Sequence, residues 1–580
     1  MTDPLDVASL HAAYRAGTLT PDALIDALYA RMDADALPNV FIHRVAREAA
    51  IAQARALGPL HDDDDRRLYG VPFAVKDNID VEGMPTTAAC PAFGFVPHAS
   101  ASAVRALLDQ GAVCIGKLNM DQFATGLVGT RSPYGACRNV FDPAYLSGGS
   151  SSGSGVAVAA HHVTFALGTD TAGSGRVPAA LNNVVGLKPS LGLLPTTGML
   201  PACESLDCLS VFALNVDDAA LVRDVILGRA VASTPPPARF RFGVPEPLEG
   251  DASTRTLFER SAERLEALGG ERVAIDFAPF RALGDLLYGP FVTERHLAVG
   301  AFIEANEDAV LPTTRTIILG AREQTASDAF RGIHRAATLK RACLAALAGV
   351  DYLLTPTIPA PYTVEADQAE PRAINDKLGI YTRFVNFIGG PVLAVPQDFR
   401  DDGLPFGVSL VGRPGHDTRL DALADALHRM SEAGMGRARH PLAPRARAPR
   451  PPPIEARLAV VGAHMRDLPL NRELLALDAR YVATVRTAAA YRLYVLPGTQ
   501  PERPGMVRTK DGVGIELELW DLPWSALGTF MARVPSPLGI GTVELADGER
   551  VKGFVCESYA VEGARDISAL GGYRAYLAQR

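Results

Sequence analysis

No apolar run in this 580-residue chain is long enough to cross a bilayer. Its start, MTDPLDVASLHAAYRAG, has acidic residues where a secretory signal would carry a basic end and an apolar centre, so no export is expected. An excess of basic charge is also missing: the formal net charge is −8 and the isoelectric point is near 5.9. That balance offers no general attraction for nucleic acid or for an anionic membrane, and neither is expected as a partner. The seven cysteines are scattered without a CxxC pair. An odd, dispersed set fits reduced thiols in a cytoplasmic protein better than a disulfide framework. The tripeptide MKM, at which biotin is attached, does not occur. Any carboxylase acting with this chain is therefore expected to be separate from it.

What is present is ordinary globular composition, with 48% hydrophobic and 21% charged residues and with 53 Gly and 43 Pro to make turns. The length allows two to four domains, or one large α/β unit with an appendage. Composition breaks once, at RARHPLAPRARAPRPPP, a stiff stretch without apolar anchors. This predicts a first domain over 1–436, a linker over 437–453 and a second domain over 454–580. In the first, RFGVPEPLEGDASTRTLFERSAERLEALGGERVAIDF alternates strand, amphipathic helix and strand, as in a mixed sheet covered by helices. Thr20 is placed to cap a helix that Pro21 begins. After the linker, ARYVATV, YRLYVLPG, GIELELWDLP, GIGTVELADG and VKGFVCESYAVEG read as strands, so the appendage is mostly β with a few helices. Both tryptophans, Trp520 and Trp524, fall in it.

Two apparent motifs are set aside. GAVCIGKL at Gly111–Leu118 nearly matches a phosphate-binding loop, but Leu118 cannot ligate Mg²⁺ and AVCI reads as a buried strand. The HDDDDRR run at His61–Arg67 lacks spaced ligands and reads as a solvated turn.

The organising stretch is LSGGSSSGSGVAVAAHHVTFALGTDTAGSGR, Leu146–Arg176. It sets two loops rich in Gly and Ser on either side of an apolar segment, which reads as a buried helix spacing two hydroxyl-bearing turns. A flexible linker would not continue into VPAALNNVVGLKPS. Upstream, VPFAVKDNIDVEGMPTT passes from an apolar strand to a polar turn at Lys76. His162 lies inside the apolar segment and is expected to be packed. A G-x-S-x-G match at Gly149–Gly153 would make Ser151 a nucleophile, but that motif requires a strand before it, and FDPAYLSGG is a turn.

These three segments, in this order, resemble the amidase signature family over roughly the first 430 residues. The resemblance implies the family's α/β fold, a large mixed β-sheet flanked by helices, with a smaller mostly β (α+β) domain behind it. It also implies a Ser-cisSer-Lys mechanism: Ser174 attacks a carbonyl, Ser150 in a cis peptide relays the proton, and Lys76 receives it. The main-chain N–H groups of Thr171, Ala172, Gly173 and Ser174 would form the oxyanion hole. Most members carry Gly at Ala172, and the N–H is retained here. Neither metal nor organic cofactor is implied, because nucleophile and base are both protein side chains.

Within the family, GTDTAGSGRVPA, YGACRNVFDPAYLSGGSSSGS and SLDCLSVFAL resemble the allophanate hydrolases more than peptide or aryl amidases. VVGAHMRDLPLN, GTQPERPGMVR and GTVELADG resemble their extra domain. The implied substrate is allophanate, a small anion that calls for a fixed cation. Tyr288 and Arg295 in LLYGPFVTERHL fall where those enzymes place carboxylate-binding groups; the alternative for Arg295 is an exposed helix ion pair with a nearby Glu. In the extra domain, linked to decarboxylation of the product N-carboxycarbamate, His464 follows an apolar strand and Gly462. From there an imidazole can protonate a developing anion. The alternative is a packed turn residue in a domain that only aids assembly. The implied partners are allophanate, a urea carboxylase on a separate chain, and further copies of this chain in a homo-oligomer. Two other classes stay open: another amidase, such as the glutaminase subunit of a tRNA amidotransferase, and an inert scaffold, against which the intact Lys76, Ser150 and Ser174 argue.

Overall fold

The computed structural model describes residues 5–35, 37–61, 64–229, 237, 239–442, 455–477, 479–498 and 502–579. The chain divides into two compact units, 1–442 and 443–580. Residues 437–442, expected to open the linker, belong to the first unit: Arg437 pairs with Asp35 at 2.7 Å and its N–H donates to Ala159 O. The rest of the expected linker, 443–453, lies outside the described residues.

The first unit is built on one mixed sheet of eleven strands. In chain order these are β1 (Phe41–Arg44), β2 (Pro72–Lys76), β3 (Val113–Leu118), β4 (Phe165–Asp170), β5 (Val185–Lys188), β6 (Cys208–Ala213), β7 (Phe240–Glu246), β8 (Gly270–Asp276), β9 (Tyr352–Pro356), β10 (Val392–Phe399) and β11 (Pro405–Val411). They lie in the order β1-β3-β2-β4-β6-β5-β10-β11-β9-β7-β8. β2 runs parallel to both β3 and β4, and β7 runs parallel to β8 and β9, while β10 is antiparallel to both its neighbours. Strands β2 to β6 are buried along their whole length, which requires cover on both faces and explains why their sequences are largely apolar rather than alternating.

Local signals account for most elements. Thr20 stands before the helix Pro21–Asp35, its carbonyl accepting from Leu24 N–H. Asp251 caps the helix Ala252–Ala267 by accepting from Thr254 N–H, and that helix carries β7 across to β8. The near-match to a phosphate loop is strand β3. In the acidic run, Asp64 pairs with Arg66; Asp62 and Asp63 lie outside the described residues.

One expected element differs. The segment VAVAAHHVTFAL does not form one helix; a helix over Ser152–Ala159 ends, His161 turns the chain at φ 57°, and β4 begins at Phe165. Every residue from Ser147 to Ser190 is buried, so no polar face exists to mark the change of period from helix to strand. His162 is packed, its Nε2 2.9 Å from Asp35 Oδ2.

The second unit holds β12 (Glu455–Val460), β13 (Arg480–Arg486), β14 (Tyr491–Val495), β15 (Pro504–Arg508), β16 (Glu516–Pro523), β17 (Leu538–Glu544), β18 (Arg550–Cys556) and β19 (Arg565–Asp566). Five form one sheet, β13-β16-β12-β18-β17, and three another, β15-β14-β19. Its own core gathers Leu458, Trp520, Phe530 and Phe554. No helix among the described residues is long and apolar enough to cross a membrane.

Candidate active site

Lys76 is the last residue of β2, so its side chain rises from the interior of the sheet and is fully buried. Its Nζ donates to Ser150 Oγ at 2.7 Å and to Thr169 Oγ1 at 2.8 Å. Thr169 lies on β4, the strand beside β2, and Asn78 Nδ2 donates to the same hydroxyl at 3.4 Å. Ser150 Oγ in turn stands 2.9 Å from Ser174 Oγ. Three groups distant in sequence thus form one line, Lys76–Ser150–Ser174. Each hydroxyl in it can both donate and accept, so the line can carry a proton either way. The Gly149–Ser150 peptide is cis. Gly149 can only be glycine, because a Cβ there would meet Asp121 Oδ2 at 2.0 Å.

Charge is arranged around the amine. Burial pushes the Lys76 ammonium down to about 7, against the opposing fields of Asp121, Asp207 and Asp170, with Arg295 adding to the depression. A lysine with that value is in large part neutral near pH 7 and can take a proton, which an ordinary lysine cannot.

The loop after β4 is tied by Asp170. Its carboxylate accepts from Gly173 N–H at 3.0 Å and Gly175 N–H at 2.9 Å, so it brackets Ser174, and it pairs with the buried Arg176 at 2.7 Å. Burial alone would raise the Asp170 carboxyl; the Arg176 guanidinium more than offsets this and holds it below the usual range. Asp207 accepts from Thr171 Oγ1 and from the N–H groups of Ala202 and Cys203, and burial holds its carboxyl above the usual range. These bonds change the candidate oxyanion hole. Gly173 N–H is turned onto Asp170, whereas the N–H groups of Thr171, Ala172 and Ser174 make no hydrogen bond among the described residues. The family resemblance counts Gly173 as a donor, and the aspartate three residues before it goes unnoticed in the sequence. Gly173 serves space instead: at φ 128°, a Cβ would meet Thr382 Oγ1 at 2.4 Å.

Arg295 projects from the helix Val292–Ala305 into the interior and is only 2% exposed. Its Nη1 donates to Ala124 O at 3.1 Å and Thr125 Oγ1 at 3.2 Å, and lies 3.5 Å from Phe123 O. No carboxylate pairs with it among the described residues. The exposed ion pair offered as an alternative is not formed, since Glu294 faces away and accepts from Ser205. The Tyr288 ring lies 5.8 Å from the Arg295 guanidinium carbon and 4.7 Å from that of Arg383. Tyr288 also lines a cavity of about 360 Å³ with Arg131, Arg372, Asn375 and Asp376.

In the second unit His464 lines a separate cavity of about 260 Å³ with Glu473, Arg503, Phe530, Arg533 and Phe554. Its Nε2 is 3.3 Å from Glu473 Oε2, and its ring stacks on Phe554 with Phe530 edge-on. Burial lowers the imidazole below its ordinary value, with Glu473 opposing. Sequence reasoning finds His464 but neither Glu473 nor Arg533, which no motif marks. It also passes over Thr169, Asp170 and Arg176, although all three lie in the stretch it singles out, and Asp121 and Asp207.

Comparison with known proteins agrees in both units. The family model described as Amidase matches residues 23–420, and that described as Allophanate hydrolase C-terminal domain matches residues 456–578. The urea amidolyase of Saccharomyces cerevisiae is 39% identical over 585 residues, covering 96% of this chain and 32% of that protein. The chain thus spans about a third of the length of the urea amidolyases it matches. A glutamyl-tRNA(Gln) amidotransferase subunit from Chloroflexus aggregans is 35% identical over 492 residues, covering 74% of this chain and 96% of that one. Among solved structures, the allophanate hydrolase of Kluyveromyces lactis superposes with a TM-score of 0.74 at 37% identity, covering 100% of this chain and 99% of that one.

Proposed function

This chain belongs to the amidase family, and from that premise we propose that it hydrolyses the terminal amide of allophanate, releasing ammonia and leaving N-carboxycarbamate. The observation that carries the reading is the unbroken line from Lys76 Nζ through Ser150 Oγ to Ser174 Oγ, at 2.7 and 2.9 Å. With Lys76 neutral, Ser174 passes its proton to Ser150, which passes its own to Lys76, and Ser174 Oγ attacks the amide carbon. The carbonyl oxygen, now an anion, is met by the N–H groups of Thr171, Ala172 and Ser174, each such donor being worth about 10²- to 10³-fold in rate. The proton held on Lys76 returns along the same line to the leaving nitrogen, ammonia departs, and water deacylates Ser174 by the reverse route.

Arg295 supplies the cation for the substrate carboxylate, with Tyr288 beside it. Two features support this role: a buried guanidinium held, among the described residues, by neutral acceptors, and the likeness to an allophanate hydrolase along the whole chain. In the second unit His464, set against Glu473 in its cavity, protonates the nitrogen of N-carboxycarbamate as carbon dioxide leaves. Allophanate would be supplied by a urea carboxylase, and the chain would act in the cytoplasm as a homo-oligomer; all seven cysteines are free thiols.

The competing reading, a glutaminase subunit, draws on relatives that match 74% of the chain. Ammonia release from allophanate, biuret, malonamide and glutamine, measured in parallel, decides the matter. Allophanate should be turned over with the highest kcat/KM; preference for glutamine would overturn the proposal.

A further inference from the structure

Between β3 and the first glycine-rich loop the chain makes a compact turn, Asp121–Arg131, whose centre is a fully buried carboxylate. Asp121 Oδ2 accepts from the N–H groups of Val128 and Gly129, both at 3.1 Å, and Oδ1 accepts from Arg131 N–H at 3.0 Å. No cation lies within ion-pair distance of it among the described residues. Its own N–H donates to Ser150 O at 3.0 Å, and its Oδ2 occupies the space that a Cβ on Gly149 would need. Just beyond it, Phe123 and Ala124 sit at φ 50° and 52°, where side chains are rarely accommodated. In that conformation their carbonyls face Arg295.

We propose that Asp121 is a positioning residue: its carboxylate, packed against Gly149, and its main-chain N–H, bonded to Ser150 O, set the Gly149–Ser150 peptide against Lys76, and the carboxylate joins that peptide to the turn that seats Arg295. The inference rests on the roles given above to Ser150 and Arg295. A carboxylate that only closed a loop would need neither contact with Gly149–Ser150 nor any influence on the base. Asp121 has both. Among the charges acting on Lys76 it acts most strongly, ahead of Asp207 and Asp170, with Arg295 in opposition. Asp77 and Lys117, on the lysine's own strand end and on β3, are paired with each other at 3.5 Å.

The test uses the full chain and a readout independent of the natural substrate: sulfonylation of Ser174 by phenylmethylsulfonyl fluoride, followed by intact mass across pH. Labelling of the wild type should rise to a plateau as Lys76 loses its proton. Asp121→Asn removes the charge that favours the ammonium, so the rise should move to lower pH by at least about half a unit. Its plateau rate should also fall by roughly tenfold or more, the relay serine being misplaced. Asp121→Glu keeps the charge but moves it by a methylene, so its plateau should fall while its midpoint stays with the wild type. A wild-type midpoint in D121N, or a wild-type plateau in D121E, overturns the proposal. A purely structural carboxylate would lower Tm in both variants and leave the midpoint alone. If the wild type takes no label at Ser174, the hydrolase reading falls, a result distinct from any effect of Asp121.

Discussion

Replacing Arg295 by Gln separates substrate recognition from tuning of the base, because the guanidinium acts in both. As the cation for allophanate it contributes a charge-assisted bond, typically about 1.5 to 3 kcal/mol, or about 10- to 150-fold in kcat/KM. As a positive charge facing Lys76 it also disfavours the ammonium, so its loss should raise the pKa of Lys76 from about 7. Activity is lost as pH falls through that value, so R295Q should move the acid limb upward. The two effects part by substrate and pH. Malonamide, neutral and of similar size, should lose activity at pH 7 and recover it near pH 9, where Lys76 is neutral again. Allophanate should stay depressed by about 10- to 150-fold at both. The Gln amide retains a donor for Ala124 O, which limits the cost of leaving the buried carbonyls of Phe123 and Ala124 unpaired. Steady-state ammonia release on the two substrates at the two pH values is sufficient. If both lose equally at pH 9, Arg295 is a structural residue and the carboxylate role is wrong.

Other variants test the remaining parts. Ser174→Ala should abolish turnover, and Ser150→Ala and Lys76→Ala should each lower kcat by at least ~10²-fold while binding survives; near wild-type activity of K76A at neutral pH would rule out the proton line. Wild-type kcat/KM should fall on the acid side with a midpoint near 7, as Lys76 gains its proton; a midpoint near the ordinary lysine value would mean that the amine is not desolvated in solution. His464→Ala should leave the first ammonia release intact, let N-carboxycarbamate accumulate and halve the early ammonia yield, as followed by product analysis. Full ammonia and carbon dioxide at the wild-type rate would leave the second unit a structural role.

Lys76, Ser150 and Ser174 are legible through the likeness of their segments to the amidase signature; local chemistry by itself marks only a buried strand ending on Lys76 and the glycine and hydroxyl residues clustered around the two serines. Asp170 was within reach of the same reasoning: an aspartate three residues before a glycine captures that glycine's N–H, as occurs here. The helix-to-strand change at His161 was not, since periodicity needs a polar face and this segment has none. Nor was the seat of Arg295, which is formed by the Phe123 and Ala124 carbonyls and the Thr125 hydroxyl about 170 residues earlier in the chain and depends on two backbone conformations that no residue type there demands.

The same distinction explains how the base is tuned. A lysine amine among three aspartates would ordinarily be a firm ammonium; burial, with a smaller push from Arg295, moves Lys76 the other way. β2 provides that burial because it lies between β3 and β4, deep in an eleven-stranded sheet, so the depression is a property of the whole fold. The aspartates are tolerated near it because each already has donors of its own. Asp170 holds two N–H groups and Arg176, Asp207 two N–H groups and Thr171, and Asp121 three N–H groups. These bonds stabilise the carboxylates without a proton from Lys76 and hold the catalytic loops in place. A carboxylate stripped of its donors would compete for that proton. Variants that disturb the donors should therefore alter the pH profile as well as stability, whereas variants elsewhere in the sheet core should alter stability alone.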